Sequence, residues 1–333
     1  MNSQFLKLLS SGLTVSALSA LAMPCWAEFE NRSFSVFGAA GMQYVNYSEE
    51  LKDWYGVDMK SKFETTNFVQ RSGGYTAVND TLGFSIISTS TLLSFEDNEN
   101  WKLAGSDGYV QENTTSLDFQ TLDVMMSYHF HNGWYTTAGM HYQKTAFSRF
   151  DWKVGSANDT YNQTIENYIR NNADMMNVVQ QYIDAPGNSI NSADDYFAEI
   201  ANDPEANQTV VFEDASSFGV MVGIAYDSYF MKQSEGMRYQ FSLDVGTPMY
   251  EKVINSSVEG SLDRGFGGGL DVTGKLGIGY QFNHQFSTML LVTGFYSHRD
   301  KIQEWYDDLN SVTLPENVIY GGAAYLSLGW NFD

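Results

Sequence analysis

Apolar and polar residues alternate with a period of two along Val318–Asp333. One set of alternate positions is apolar and ends in Trp330 and Phe332, whereas the positions between them are small or polar. This alternation predicts a β-strand with two different faces. The apolar face of such a strand meets a core in a soluble protein and lipid in an outer-membrane barrel, so the rest of the chain decides between the two.

Nine further segments have strand-like patterns, joined by long polar loops, such as Asn46–Lys62 and Glu96–Asn113, that alternate with short turns, such as His131-Asn132-Gly133. This alternation is the form expected of an outer-membrane barrel, with both termini at the end of the short turns. We predict an all-β fold, an antiparallel transmembrane β-barrel of about ten strands whose last strand pairs with the first. The nine segments are Arg32–Tyr47, Phe63–Val78, Leu82–Phe95, Thr115–Phe130, Trp134–Trp152, Ser217–Phe230, Met237–Tyr250, Phe266–Phe282 and Phe286–Arg299.

Aromatic residues cluster at both ends of the predicted strands. Two aromatic girdles are typical of the two membrane–water interfaces of an outer-membrane barrel, whereas a soluble core predicts no such clustering. The girdle near the short turns comprises Tyr128, Phe130, Trp134, Tyr229, Phe230, Tyr239, Tyr280, Phe282, Phe286, Trp330 and Phe332, and the opposite one Tyr44, Tyr47, Phe147, Phe150, Trp152 and Tyr296.

The N-terminus has the pattern of a secretory signal. Lys7 precedes the apolar run Leu8–Met23, and a small residue, Ala27, follows soon after. We predict a signal peptide over residues 1–27 and the barrel over residues 28–333, although cleavage after Ala22 also fits the small-x-small rule. Cys25 is the only cysteine, so cleavage after Ala27 leaves none for a disulfide or a thiolate nucleophile.

The chain is strongly acidic. Its net charge is −22, and removal of the predicted signal, which holds one lysine and no acid, gives 17 − 40 = −23. This charge excludes a nucleic-acid-binding protein, which needs a basic surface. It is typical of acidic solvated loops at a surface, and it also suits a protein that handles cations.

The last strand carries a further signature in Tyr325, Leu326, Leu328, Trp330 and Phe332. These residues resemble the C-terminal signal of Gram-negative outer-membrane β-barrel proteins, although the aromatic residue is penultimate here rather than last. The resemblance implies the cell outer membrane as location. It implies outer-membrane lipid, lipopolysaccharide and the barrel-assembly machinery as partners, and we expect a monomer.

The segment 153–214 interrupts the strand pattern and is predicted to be a long, acidic, partly helical extracellular loop. Apolar residues recur every three or four positions from Tyr161 to Ile183, which predicts an amphipathic helix. A second helix is expected after Ser192, its N-cap. Eleven acids and two bases lie in this segment. A loop of this length indicates either a lid or docking surface, or a passive closure of the barrel mouth.

The polar faces of the strands predict a network of charged and polar side chains in the lumen. A ten-strand barrel has a narrow interior, and charges of both signs indicate ion pairs that plug it. A thin pathway for cations or water is the alternative. The predicted lumen residues are Asp123, His129, His141, Gln143, Asp227, Arg238, Gln240, Asp244, Asp271 and Lys275.

Ten strands with five outer loops also resemble the omptin proteases, whose sites combine acidic residues with a His–Asp pair at the outer mouth. The omptin motifs, paired aspartates after Trp-Thr and an Asp-x-His pair, do not occur here. Asp151, His298 and Asp300 at the strand tops form the nearest candidate site. No cofactor motif is present, so we expect no cofactor, and the sequence leaves a metal site undetermined.

These observations favour a non-catalytic role in surface interaction, adhesion or structure through the extracellular loops. An extracellular ligand or a phage is the candidate partner of those loops. A narrow porin-like channel for small solutes or cations and an omptin-like surface hydrolase are the two alternative functions.

Overall fold

A computed structural model describes residues 34–202, 212–229, 235–256, 260–305 and 311–332. The predicted signal peptide lies outside these residues. The strands are β1 (Phe34–Trp54), β2 (Val57–Ala77), β3 (Leu82–Leu93), β4 (Asp97–Leu103), β5 (Tyr109–His131), β6 (Trp134–Val154), β7 (Phe212–Asp227), β8 (Gly236–Asn255), β9 (Leu262–Arg264), β10 (Gly269–Gln281), β11 (Phe286–Arg299), β12 (Ile302–Trp305), β13 (Ser311–Leu314) and β14 (Glu316–Phe332). The helices are α1 (Asn158–Arg170), α2 (Ala173–Ile183) and α3 (Ala193–Asn202).

Ten antiparallel strands close into a ring in the order β1-β14-β11-β10-β8-β7-β6-β5-β3-β2. The pairing of β1 with both β2 and β14 closes it, and the β1–β14 register runs from Phe34↔Phe332 to Glu50↔Glu316 without irregularity. The predicted ten-strand barrel and its seam between the first and last strands are therefore confirmed. β4 extends the wall between β2 and β5, β9 pairs with β8, and β12 and β13 form a separate hairpin.

The two ends of the ring differ, and we name them by their connections. The turn end carries tight turns such as Asn132-Gly133, in which both residues have a positive φ, as the predicted Asn-Gly hairpin requires. The cap end carries the three helices, which lie between β6 and β7. An even number of ring strands brings the start of β1 and the end of β14 together at the turn end.

Two of the predicted long loops are wrong, because the barrel wall continues through them. β1 and β2 are joined by the two-residue turn Tyr55-Gly56 instead of the loop Asn46–Lys62, and both turn residues have a positive φ. β4 and the start of β5 occupy most of the predicted loop Glu96–Asn113. The outward face of these extensions is charged and their apolar residues, such as Val57 and Met59, face inward, so the sequence there lacks the apolar outward face that marks the membrane-spanning strands.

The outer face of the ring is an exposed apolar belt. Its residues include Leu290, Val292 and Leu326. An apolar band that runs around the whole ring is larger than the apolar patches that proteins expose to water, so it indicates contact with lipid. Tyr320 and Trp330 mark the two edges of the belt on β14. Their ten-residue spacing corresponds to a height of about 25 Å at a strand tilt of about 40°, which matches the lipid-facing band of outer-membrane barrels.

The predicted girdles need correction at three positions. Tyr47 and Phe147 are buried inside the ring, where they stack on each other, and Tyr229 lines the lumen. Phe230 lies outside the described residues. The cap-end edge of the belt is instead marked by outward residues that the sequence analysis did not assign to it, among them Tyr142, Phe218, Tyr250 and Tyr320. The strand segments between the two edges are the membrane-spanning segments.

The helices of the cap follow the predicted pattern with one break. The single helix expected over Tyr161–Ile183 is two helices, because Asn172 caps α2 by accepting hydrogen bonds from the backbone N–H groups of Asp174 and Met175. The predicted cap at Ser192 is confirmed: its hydroxyl accepts a hydrogen bond from the Asp195 N–H and donates one to the Asp195 carboxylate.

Candidate functional site

The turn-end half of the lumen is a cavity of about 210 Å³, named here the turn-end cavity. Backbone segments from the start of β1 and the end of β14 line it together with inward side chains of the other strands. Six of the ten predicted lumen residues line this cavity, namely Asp123, Asp227, Arg238, Gln240, Asp244 and Lys275.

Two carboxylates of the turn-end cavity are held by hydrogen bonds. Asp227 accepts hydrogen bonds from Arg238 Nε at 3.1 Å, Arg238 Nη2 at 2.6 Å and Gln240 Nε2 at 2.5 Å. Asp244 accepts one from the Thr137 hydroxyl at 2.8 Å. The bidentate Arg238–Asp227 pair satisfies both charges, as a buried ion pair must be satisfied to persist.

The two lumen histidines also have partners. The hydroxyl of Tyr75 lies 2.8 Å from Nε2 of His129, and Nδ1 of His141 lies 2.6 Å from the Asp123 carboxylate. Each contact joins side chains of neighbouring or nearby strands on the inner face of the wall. Both histidines are therefore part of the packed polar wall.

The last two predicted lumen residues lie nearer the cap end. Gln143 is buried on β6, and Asp271 is buried on β10. Asp271 accepts hydrogen bonds from the Ser297 hydroxyl at 2.8 Å and from both terminal nitrogens of Arg299, at 2.8 and 3.1 Å. The structure thus places all ten predicted residues on the inner face, but in separate groups along the lumen.

Apolar side chains close the lumen above the turn-end cavity. Phe119 on β5 and Phe295 on β11 stack with their ring centroids 5.4 Å apart, although these strands lie on opposite sides of the ring. Nearer the cap end, Tyr47 and Phe147 stack at 4.7 Å across the lumen. Tyr47, Phe147 and Phe295 pack with the buried residues Val45, Phe63, Leu117 and Ile319. A second buried apolar cluster comprises Val69, Met289, Leu291, Ala323 and Tyr325.

A buried ion cluster lies above the apolar layer. Arg149 donates hydrogen bonds from Nε and Nη2 to Glu99, at 2.5 and 2.8 Å, and from Nη2 to Glu49 at 2.8 Å. Its guanidinium also lies over the rings of Phe147 and Trp101, at 4.3 and 5.2 Å. Arg149 therefore joins β1, β4 and β6 across the mouth of the barrel.

A second ion cluster occupies the opposite side of the mouth. Arg264 on β9 contacts the Glu251 carboxylate, and Arg299 Nε lies 3.4 Å from the same carboxylate. All three side chains are buried. This cluster fixes β8, β9 and β11 to one another above the belt.

Glu213 on β7 lies between the two clusters, beyond the cap-end edge of the belt at Phe218. Burial and the nearby Glu49 carboxylate raise the pKa of Glu213 from its ordinary value of 4.5 to about 7, while Arg149 acts in the opposite direction. The Asn255 amide donates a hydrogen bond to it at 3.0 Å. The charge of Glu213 therefore changes near neutral pH.

The candidate loop site is divided between two sides of the ring. His298 on β11 points outward, where Nε2 lies 3.1 Å from the Glu316 carboxylate and Nδ1 lies 3.8 Å from the Asp300 carboxylate. Asp151 lies on β6, which is separated from β11 by β7, β8 and β10. His298 and Asp300 are brought together, but Asp151 is not brought to them.

The helices close the cap end of the lumen. Tyr161 of α1 is buried against the inner face of the wall extensions, and its ring lies 6.3 Å from that of Trp54. The buried partners of Tyr161 in this contact are Val57, Met59, Trp101, Val110 and Ala157. The inner face of α1 thus packs into the core at the cap end of the barrel.

The outer surface of the cap carries an unusual combination of side chains. Asp174, Val178 and Tyr182 follow one another at four-residue spacing along α2 and are all exposed, with Tyr182 at 51%. We name these three residues the α2 stripe. Six acids lie on the described helices and five of them are exposed, whereas the guanidinium of their one base, Arg170, already binds Glu166 and Asp194.

Within the described ranges, no group of three or more His, Cys, Asp or Glu side chains is arranged to hold a metal ion. No described helix is both long and apolar enough to cross a membrane.

Solved structures provide a comparison for this architecture. The outer membrane protease OmpT from Escherichia coli matches with a TM-score of 0.52 at 7% sequence identity, over 91% of this chain and 97% of that one. This chain has the fold of an outer-membrane β-barrel. The predicted architecture is confirmed, and the cell outer membrane is the location that this fold and its apolar belt indicate.

Two further matches have lower scores. The outer membrane protein OprG from Pseudomonas aeruginosa has a TM-score of 0.30 at 10% identity, over 90% of this chain and 95% of that one. The translocator domain of the autotransporter NalP from Neisseria meningitidis has a TM-score of 0.30 at 8% identity, over 97% and 98%. No protein-family model and no curated protein sequence matches this barrel.

The charged residues of the barrel mouth were not predicted from the sequence. Glu49, Glu99, Glu251 and Arg264 fall in segments predicted as loops, whereas Arg149 continues the inward positions of the fifth predicted strand. Extending the period-two pattern beyond the apolar belt, from Val45 through Tyr47 to Glu49, for example, would have indicated that these residues face inward.

Proposed function

We propose that this protein is a closed barrel that presents its helical cap at the cell surface as a docking site for a cationic partner. The stack of Phe119 on Phe295 across the lumen carries this proposal, because it makes a solute pathway a poor account of the interior. The cap end faces the exterior in this proposal, since both ends of the described ring lie at the turn end.

The helices of the cap support a role in docking a partner rather than only in closing the barrel mouth. Closing the mouth requires only the inner face of α1, where Tyr161 is buried. The α2 stripe takes no part in that contact and leaves Val178 and Tyr182 exposed. Exposed aromatic side chains that project from a rigid helix are typical centres of protein-binding surfaces.

The charge of the cap indicates the class of partner. Exposed acids lie on each of the three helices, and the base Arg170 is already bound to two of the carboxylates on them. Such a surface favours encounter with a positively charged partner and repels an acidic one. A basic peptide or protein segment with an apolar side chain fits both features.

The test uses the full chain in detergent micelles and immobilised cationic peptides that contain aromatic residues. Replacing Val178 and Tyr182 by serine should weaken binding about tenfold, the effect of removing a central contact. Deleting residues 158–202 in favour of a flexible linker should abolish binding and leave a folded, heat-modifiable barrel. The matched control is Asp97→Asn, which removes an exposed acid outside the helices. Undiminished binding by the deletion variant would contradict the proposal.

A further inference from the structure

Two basic side chains of the turn-end cavity form no ion pair with any described residue. Lys275 on β10 and Arg71 on β2 both line the cavity. Among the described residues, neither side chain has a carboxylate oxygen within the 4.0 Å of an ion pair. Arg71 donates one hydrogen bond, from Nη1 to the Thr89 hydroxyl at 3.0 Å, while its buried Nε has none.

The acids of the same cavity form hydrogen bonds with side chains other than Lys275 and Arg71. Asp227 is held by Arg238 and Gln240, and Asp123 by His141. Asp244 accepts a hydrogen bond from Thr137. Lys275 and Arg71 therefore take no part in the ion pairs that the other charged residues of the cavity form among the described residues.

Unpaired cations inside a protein are energetically costly, and the charges of Lys275 and Arg71 interact unfavourably with each other. One anion with two or more oxygen atoms satisfies both groups, because an ammonium and a guanidinium each form strong charge-assisted hydrogen bonds to oxyanions. We propose that the turn-end cavity binds a small oxyanion, a phosphate or a short carboxylate, between Lys275 and Arg71.

The size of the cavity restricts the ligand. Its 210 Å³ is smaller than the roughly 300 Å³ at which pockets for drug-sized molecules begin. The volume corresponds to about seven water molecules, which suits inorganic phosphate or acetate and excludes a whole lipid. The cavity lies inside the ring, so the barrel wall separates this site from the lipid-facing belt.

Asp244 provides an internal competitor for the site. It lines the same cavity, and its charge attracts Lys275 and repels an incoming anion. The register pairs Asp244 with Thr273 and Lys275 with Ser242, so the two side chains are diagonal neighbours on the inner face. An anion at Lys275 is therefore bound against the repulsion of this carboxylate.

The experiment titrates inorganic phosphate and, separately, acetate into the full chain in maltoside micelles, which contain no lipid phosphate. Calorimetry gives the affinity, and the shift in the urea unfolding midpoint gives an independent measure of it.

Lys275→Met and Arg71→Met should each weaken binding about tenfold or more, the loss expected for one charge-assisted hydrogen bond. Asp244→Asn should strengthen binding. Lys144→Met, on the outer wall beside Asp214, is the control and should leave the affinity unchanged.

Two results would overturn the proposal. The first is the absence of both phosphate and acetate binding by the unaltered chain; its appearance in Asp244→Asn would then mean that Lys275 is satisfied by Asp244 alone. The second is equal affinity in the Lys275→Met and Lys144→Met proteins. Heat modifiability and circular dichroism identify a variant that fails to fold, and Arg71→Lys, which keeps the charge, then replaces Arg71→Met and should retain more binding than Lys275→Met.

Discussion

Phe119 and Phe295 stack at 5.4 Å across the full width of the barrel, from strands on opposite sides of the ring. Ring contact across the lumen fills the centre of the barrel at that height. The stack belongs to a buried apolar layer between the turn-end cavity and the ion clusters of the mouth. This apolar layer is the part of the core on which the proposal of a closed barrel rests.

We predict that the purified chain gives no discrete conductance steps in planar lipid bilayers. The physical reason is the apolar layer, which excludes hydrated ions because they lose their water there without compensation. The control is a known open porin reconstituted by the same procedure. Reproducible conductance steps from the unaltered chain would show that the apolar layer opens in the bilayer. That result would contradict the closed barrel and favour a channel function.

Replacing Arg149 by methionine should strongly destabilise the barrel. Glu99 is 0% and Glu49 5% exposed, so loss of the guanidinium leaves two buried carboxylates without a positive partner. The expected loss in the free energy of unfolding is about 3–5 kcal/mol. Urea unfolding in micelles measures it. Lys153→Met removes an exposed ion pair with Glu112 and should cost no more than about 1 kcal/mol. Similar losses in both proteins would contradict this account.

The free energy of unfolding should decrease as the pH rises from about 5 to about 8, because Glu213 loses its proton over this range. The folded-state pKa of Glu213, about 7, lies above its ordinary value of 4.5, so the folded protein holds an extra proton between these values. This contribution is fully present at the acidic end and is lost as the pH rises through about 7. We expect a loss of about 2 kcal/mol, because partial exposure of the side chain screens its charge.

Glu213→Gln should remove this dependence on pH. The amide stays neutral and its oxygen still accepts the hydrogen bond from Asn255, so the variant should be more stable than the unaltered chain at about pH 8. Urea unfolding at the two pH values measures the difference. Asp214→Asn, at the neighbouring position, is the control. An unchanged pH profile in the Glu213 variant would assign the dependence to other groups.

Tyr161→Ser should loosen the cap without unfolding the barrel. Tyr161 is buried against Trp54, Trp101 and Met59, and truncation of a buried aromatic side chain costs about 3–5 kcal/mol. Limited proteolysis should cut faster within residues 155–202, while the ring strands keep their protection from hydrogen exchange. The exposed Tyr168→Ser is the control. Loss of protection throughout the ring would mean that the cap and the barrel unfold as one unit.

The sequence by itself determined the barrel. Ten period-two segments, two aromatic girdles and alternating loops and turns are local patterns, because each strand meets lipid on one face and the lumen on the other along its whole membrane-spanning length. The helices of the cap were also predictable, since Tyr161 and its neighbours recur at helical spacing. Only the break at Asn172 was missed.

The tertiary structure alone decided what the lumen contains. Beyond the belt the outward face meets water, so the charged residues Glu49 and Glu99 lie between polar outward positions that resemble a solvated loop in sequence. Which charges form pairs depends on contacts between distant strands, such as those that Arg149 makes, and not on spacing along the chain. For the same reason the sequence placed Arg238, Asp244 and Lys275 in one network, whereas their positions in space leave Lys275 without an acidic partner among the described residues.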